Sequence, residues 1–220
     1  MKLIRALACS ICIIATGTQA ETLTLPEKLP QLTTTQGQEL GTRQDHIGLA
    51  PGTKVPNFVL QDHADNKISM EELSKSAPLL VVFYRGGWCP YCNLQIRQLT
   101  EAWPQFKQRN VTPVLISVDK PDAAALAQRQ YEIPFPILSD PDLRAHQAFN
   151  VTMKIDEDHI PMYKEYGIDV EQWSGRSHHT IAVSSAFVVG KSGKVLWAHS
   201  SLDYKTRPSV EQLLQVIDGL

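Results

Sequence analysis

Apolar residues fall in short blocks between polar turns, and their spacing names the elements. Leu79 to Tyr84 is a continuous apolar run of strand length, the pattern of a strand buried on both faces of a parallel sheet. Val111 to Val118 reads as a second strand, and Asn57 to Leu60 and Pro136 to Leu138 as shorter ones. Asp65-Asn66 marks a turn. Four helices are predicted between these strands: Ser69 to Leu73, the stretch from Cys89 to about Lys107, Asp122 to Tyr131 behind Pro121, and Leu143 to Phe149. Ile181 to Val189 and Lys194 to His199 predict two strands joined by a hairpin at Lys191-Ser192-Gly193. Val210, Leu213, Leu214 and Ile217 lie at i, i+3, i+4 and i+7, so an amphipathic helix ends the chain. The order predicts an α/β fold, a central mixed sheet flanked by helices with a C-terminal β-hairpin and helix.

Outside these blocks the pattern lapses twice. Residues 153–180 are irregular and read as an insertion between core strands. Residues 21–47 hold Pro26, Pro30, a Thr33-Thr34-Thr35 run and Gly37, and read as a flexible N-terminal arm ahead of a domain over 48–220. The first 20 residues differ again. Lys2 and Arg5 precede an apolar run from Ala6 to Ile14, and Ala20 closes a small-residue cleavage pattern. That is a signal peptide, too short for a spanning helix of roughly 20 apolar residues. The expected location is periplasmic or secreted, with no membrane span after cleavage.

Composition adds two exclusions. With 43% hydrophobic and 20% charged residues the chain is ordinary globular protein rather than disordered. The formal charge of -2 becomes -4 when Lys2 and Arg5 leave, so nothing attracts nucleic acid.

Cleavage also removes Cys9 and Cys12, leaving Cys89 and Cys92 as a pair in an oxidising compartment. They stand in Phe83-Tyr84-Arg85-Gly86-Gly87-Trp88-Cys89-Pro90-Tyr91-Cys92, where a strand ends, a Gly-Gly turn follows and a helix begins. Cys-x-x-Cys in that setting reads as a redox-active disulfide. A thiol at a helix N-terminus meets unpaired amides and the positive end of the helix dipole, both of which favour thiolate, the reactive form. Pro90 suits the first helical position. Cys92, Ile96, Leu99, Trp103 and Phe106 step by 4, 3, 4 and 3, so Cys92 faces the core. Cys89 lies off that stripe. The expectation is therefore an exposed, attacking Cys89 at a helix tip flanked by Trp88 and Tyr91, with Cys92 resolving. No cofactor is expected. A copper- or zinc-binding module is the rival of another class, and it requires His178 or His179 beside the sulfurs, since one Cys-x-x-Cys is half a tetrahedral site. No Ser/His/Asp signature, HExxH, P-loop or GxGxxG is present.

The decapeptide from Phe83 to Cys92, with VPNFVLQD at Val55–Asp62, ISVD at Ile116–Asp119 and FPILSDPD at Phe135–Asp142, resembles the peroxiredoxin-like branch of the alkyl hydroperoxide reductase/thiol-specific antioxidant family. The resemblance implies a thioredoxin-like fold, a thiol oxidoreductase, a disulfide or peroxide substrate, and an external thiol reductant or oxidant as partner. The family's peroxide-attacking cysteine falls on Cys92, nine residues after Phe83. Its threonine falls on Cys89, its proline on Arg85 and its later arginine on Ser184. The peroxide-binding set is thus missing as written. Arg85 either replaces the lost guanidinium or pairs on the surface. Asp119 is the candidate proton acceptor. On these residues disulfide exchange through Cys89 leads, and peroxide reduction through Cys92 is the alternative.

Overall fold

The computed structural model describes residues 22–30 and 40–220, so the expected signal peptide lies outside the described residues. From Val59 onward strands and helices alternate: β1 (Val59–Asp62), β2 (Lys67–Ser69), α1 (Met70–Ser76), β3 (Leu79–Phe83), α2 (Pro90–Glu101), α3 (Trp103–Gln108), β4 (Thr112–Ser117), α4 (Pro121–Tyr131), β5 (Ile137–Ser139) and α5 (Arg144–Ala148). Then come β6 (Thr152–Lys154), α6 (Ile160–Glu165), α7 (Val170–Ser174), β7 (Thr180–Ala182), β8 (Ser184–Val189), β9 (Val195–Ser201) and α8 (Val210–Asp218).

Among the described residues the main sheet runs β2-β1-β5-β4-β3-β8-β9. The pairs β3·β4 and β4·β5 are parallel, while β8 pairs antiparallel with β3 and β9 antiparallel with β8. Every residue of β3 is buried, because helices cover both faces. Leu80, Val82 and Tyr84 point into a core shared with α2, α4 and α8. Leu79, Val81 and Phe83 point into a second core with Phe149 and Phe187. There the rings of Phe83, Phe149 and Phe187 stand 4.9–6.1 Å apart. Each such burial contributes about 1.5–3 kcal/mol relative to an exposed ring.

Three expectations are corrected. The helix predicted to Lys107 breaks at Ala102, because Pro104 in the first turn of α3 lacks the N–H that would continue α2. The strand predicted over Ile181–Val189 splits at Val183, and β7 leaves the main sheet to pair with β6. That two-stranded ribbon closes the insertion at 153–180, which is built of short helices rather than loose chain. Residues 40–47, read from sequence as part of the arm, are tied to β9. Ser200 N–H donates to Thr42, Leu202 N–H donates to the Gln44 side chain, and Gly41 sits against Trp197.

Register decides where the chemistry gathers. Phe83, the last residue of β3, lies beside Ile116 on one neighbour and Ser185 on the other. Ser184 in turn pairs with Ser201 at the end of β9. The turn after β3, Asp119 after β4, the start of β8 and the end of β9 therefore meet at one end of the sheet.

Candidate active site

Cys89 is the N-cap of α2 and its sulfur accepts the Cys92 backbone N–H at 3.3 Å. Pro90 occupies the first helical position, as its missing N–H allows. The two cysteines form a disulfide, with Cα atoms 5.2 Å apart. Cys92 lies on the buried stripe with Ile96, Leu99 and Phe106. The expected exposure of Cys89 is not found, for both cysteines are 0% exposed. The cause lies in distant segments. The turn beside Cys89 is roofed by Trp173 of α7 and Leu25 of the N-terminal segment. A Cβ on Gly87 would stand 2.6 Å from the Trp173 ring and 3.1 Å from Leu25 Cδ2. Trp88 is itself buried and packs edge-on to Tyr163 of α6, 5.8 Å away. Tyr91 meets Tyr204 at 5.6 Å.

The turn is pinned from two sides. Gly87 N–H donates to Asp119 Oδ2 at 2.8 Å. Asn93 Nδ2 donates to the carbonyls of Gly87 at 2.6 Å and Cys89 at 3.0 Å. Asn93 was not singled out from sequence; an amide one residue past Cys92, in the first turn of α2, is the signal that could have found it. Asp119, the candidate proton acceptor, bonds the loop amide. Burial raises its pKa from 3.8 to about 7, against the Gly87 N–H hydrogen bond and the nearby Ser117 and Tyr84 hydroxyls, which lower it. In the unfolded chain this carboxyl ionises near 3.8, so folding takes up a proton between the two values. Its contribution to stability is complete below about pH 4 and is lost as pH rises through about 7. Thermal unfolding from pH 5 to 8 should show the native chain losing on the order of a few kcal/mol. Asp119→Asn should flatten that slope, and an unchanged slope would remove the carboxyl from this role.

Two guanidinium groups, Arg85 and Arg207, lie near one another at this end of the sheet. Arg85, 92% buried, is not a surface ion pair. It donates to Tyr163 Oη, and its Cζ lies 4.3 Å from the Tyr204 ring centre and 4.9 Å from that of Trp88. The cation that meets sulfur is Arg207, from the loop between β9 and α8. Its Nη2 donates to Cys92 Sγ at 3.0 Å and its Nη1 to Gln95 Oε1 at 2.8 Å. Pro208 and a capping box at Ser209 and Gln212 fix the chain that carries it into α8. Burial first, and the charge of Arg85 second, lower the Arg207 pKa to about 9, so it remains a cation at neutral pH. Ser184, where the family arginine was expected, lines one small cavity together with Arg207. Arg207 thus brings a guanidinium to this cavity from another element. Sequence reasoning missed Arg207, which stands 115 residues from Cys92 and in no local motif.

The histidines required by the metal-binding rival are engaged elsewhere. His178 Nε2 lies 2.9 Å from the Pro141 carbonyl, and His179 sits between Glu157 at 3.1 Å and Glu171 at 2.7 Å. Among the described residues no group of three His, Cys, Asp or Glu side chains could hold a metal ion.

The family model described as "AhpC/TSA family" matches residues 51–198. A Mycobacterium tuberculosis protein that carries a peroxiredoxin name is 29% identical over 150 residues, 68% of this chain and 84% of the relative. The thiol-disulfide oxidoreductase ResA of Bacillus cereus is 27% identical over 101 residues, 46% of this chain and 57% of ResA. The crystal structure of peroxidoxin BcpB from Mycobacterium tuberculosis superposes with a TM-score of 0.61 at 18% identity, covering 80% of this chain and 99% of that one. The fold it shares is thioredoxin-like.

Proposed function

Because the chain belongs to the AhpC/TSA family of thiol-dependent oxidoreductases, we propose that it reduces peroxides through Cys92. The observation that carries this reading is the Arg207 guanidinium on Cys92 Sγ at 3.0 Å. In the reduced protein that contact favours thiolate at Cys92 and offers donors where charge develops on the departing oxygen. The Cys92 thiolate attacks the terminal oxygen of ROOH, the O–O bond breaks, and sulfur is oxidised to Cys92–SOH as RO⁻ leaves. The Cys89 proton neutralises RO⁻. Cys89 sulfur then displaces hydroxide from Cys92, solvent protonates it, and the disulfide forms. An external dithiol reduces the disulfide and is itself oxidised.

Disulfide exchange through Cys89 is the second reading. It is favoured by the amide of Cys92 on Cys89 Sγ, which stabilises a thiolate there too. Burial of both sulfurs weighs against it, because a bulky disulfide must reach a sulfur in line. Stopped-flow Trp fluorescence of the dithiol form distinguishes the readings, with Trp88 next to Cys89 as reporter. The expected result is a second-order rate constant for hydrogen peroxide at least roughly a hundredfold above that for oxidised glutathione, the factor one lost charge-stabilising donor is worth. The reverse ratio would return disulfide exchange to first place.

We further propose that the chain acts after export. The support is the charged, apolar and small-residue order over residues 1–20. N-terminal sequencing of the exported protein should begin at Glu21; recovery of Met1 would refute cleavage.

A further inference from the structure

Beside Arg207 the end of the sheet holds a partly open cavity of about 10 Å³, lined among others by Gln95, Ser184, His199, Thr206, Arg207 and Pro208. That is about the room one water-sized group needs. Its wall is unusually polar for a buried place. His199 is 3% and Ser184 4% exposed. Ser184 Oγ, both ring nitrogens of His199 and Nε of Arg207 have no protein hydrogen-bond partner among the described residues. Four buried polar atoms left so would cost several kcal/mol together, unless the cavity's occupant pairs them. The register explains the gathering: Ser184 opens β8, and His199 lies opposite Ala186 on the same face of the sheet. Trp197 stacks flat on the His199 ring, 6.0 Å away at 10°, and holds its orientation.

We propose that this cavity receives the departing oxygen of the peroxide, and that its size makes hydrogen peroxide the preferred substrate over bulky alkyl hydroperoxides. The inference rests on the peroxide reading above. Arg207 joins the two places, with Nη2 on Cys92 Sγ and the residue itself among those lining the cavity. As Cys92 sulfur takes one oxygen, the other leaves as hydroxide when R is hydrogen. A neutral His199 N–H, the Ser184 hydroxyl and Arg207 Nε–H are the donors for that anion. Burial lowers the His199 pKa to about 4, so at neutral pH the ring is uncharged and serves as a hydrogen-bond donor rather than as an acid. An alkoxide carrying four carbons does not fit in the room of one water.

The test compares hydrogen peroxide with tert-butyl hydroperoxide on the reduced full chain by stopped flow. The native protein should prefer hydrogen peroxide roughly a hundredfold. His199→Ala and Ser184→Ala should each enlarge the cavity, slow hydrogen peroxide by about tenfold to a hundredfold, and narrow the ratio. His199→Gln, which restores an N–H donor, should recover part of the rate. Reduction of the disulfide by dithiothreitol, which forms no oxygen leaving group, should stay within about twofold in all three variants. Equal rates for the two peroxides in the native protein, or an unchanged ratio in Ser184→Ala, would overturn the proposal while leaving peroxide reduction intact. Should His199→Ala fail to fold, Ser184→Ala and the native ratio still decide. A reduced chain that reacts with neither peroxide yet exchanges with disulfides would overturn the peroxide reading itself.

Discussion

Cys92→Ser is expected to lower hydrogen peroxide consumption by roughly a thousandfold or more, while Cys89→Ser keeps the first turnover within about tenfold of native. The asymmetry follows from the surroundings of the two sulfurs. Cys92 Sγ has the guanidinium of Arg207 at 3.0 Å, whereas Cys89 Sγ has one backbone N–H at 3.3 Å. A full charge at hydrogen-bond distance stabilises thiolate and departing oxygen more than a single amide does. Cys89→Ser is a clean change, because serine is itself a favoured N-cap and leaves the start of α2 intact. That variant should stop at Cys92–SOH, seen as the gain of one oxygen by intact mass and as a dimedone adduct. Without Cys89 the sulfenic acid has no internal thiol to displace hydroxide, and multiple turnover should cease. Should Cys89→Ser abolish the first turnover and Cys92→Ser preserve it, the attack belongs to Cys89.

Much of this arrangement is legible in the chain, and the part that is not has a common cause. The continuous apolar run of β3, the apolar segment of β4 and the period-3.6 stripes of α2 and α8 locate these elements because burial acts on each segment separately. The 4-3-4-3 stripe from Cys92 to Phe106 places Cys92 in the core for the same reason. Cys89 went the other way. Off the stripe, it was read as exposed, and it is buried, while its neighbours Gly87 and Trp88 are packed by Trp173, Leu25 and Tyr163, from segments whose own patterns carry no strong period. Pro104 carried a local signal for the break between α2 and α3, since a proline in mid-helix removes a hydrogen bond, yet the reading of one helix to about Lys107 passed over it. Arg207 had no such local signal. A family template fixes which position held the guanidinium, but the chemistry requires only that a guanidinium reach the sulfur. Ser184 and Arg207 line one cavity from different elements, a juxtaposition that a position-by-position reading does not reveal.

Arg207→Met should therefore slow the reaction of the reduced protein with hydrogen peroxide by roughly a hundredfold, the scale for losing one charge-stabilising donor. Methionine keeps much of the length and apolar stem, so packing against Pro208 and the start of α8 changes little. The charge is what leaves. Among the described residues Arg207 has no carboxylate partner and bonds Gln95 Oε1 and Cys92 Sγ, and the nearby Arg85 repels it. When the disulfide is reduced, a thiolate at Cys92 is the anion that answers these two cations. Removing one cation makes that thiolate harder to form, so the pH at which the reaction reaches half its maximal rate should move upward. Arg207→Lys should fall between, since an ammonium keeps the charge and loses the fork that spans Gln95 and sulfur. Arg85→Met should move the same pH midpoint upward by less, because its guanidinium lies on the Tyr204 and Trp88 rings and bonds Tyr163 rather than sulfur. Rate constants of all three variants across pH 5 to 9 check the order. An Arg207→Met protein with native rate and native midpoint, beside an Arg85→Met protein with neither, would place the working guanidinium at residue 85.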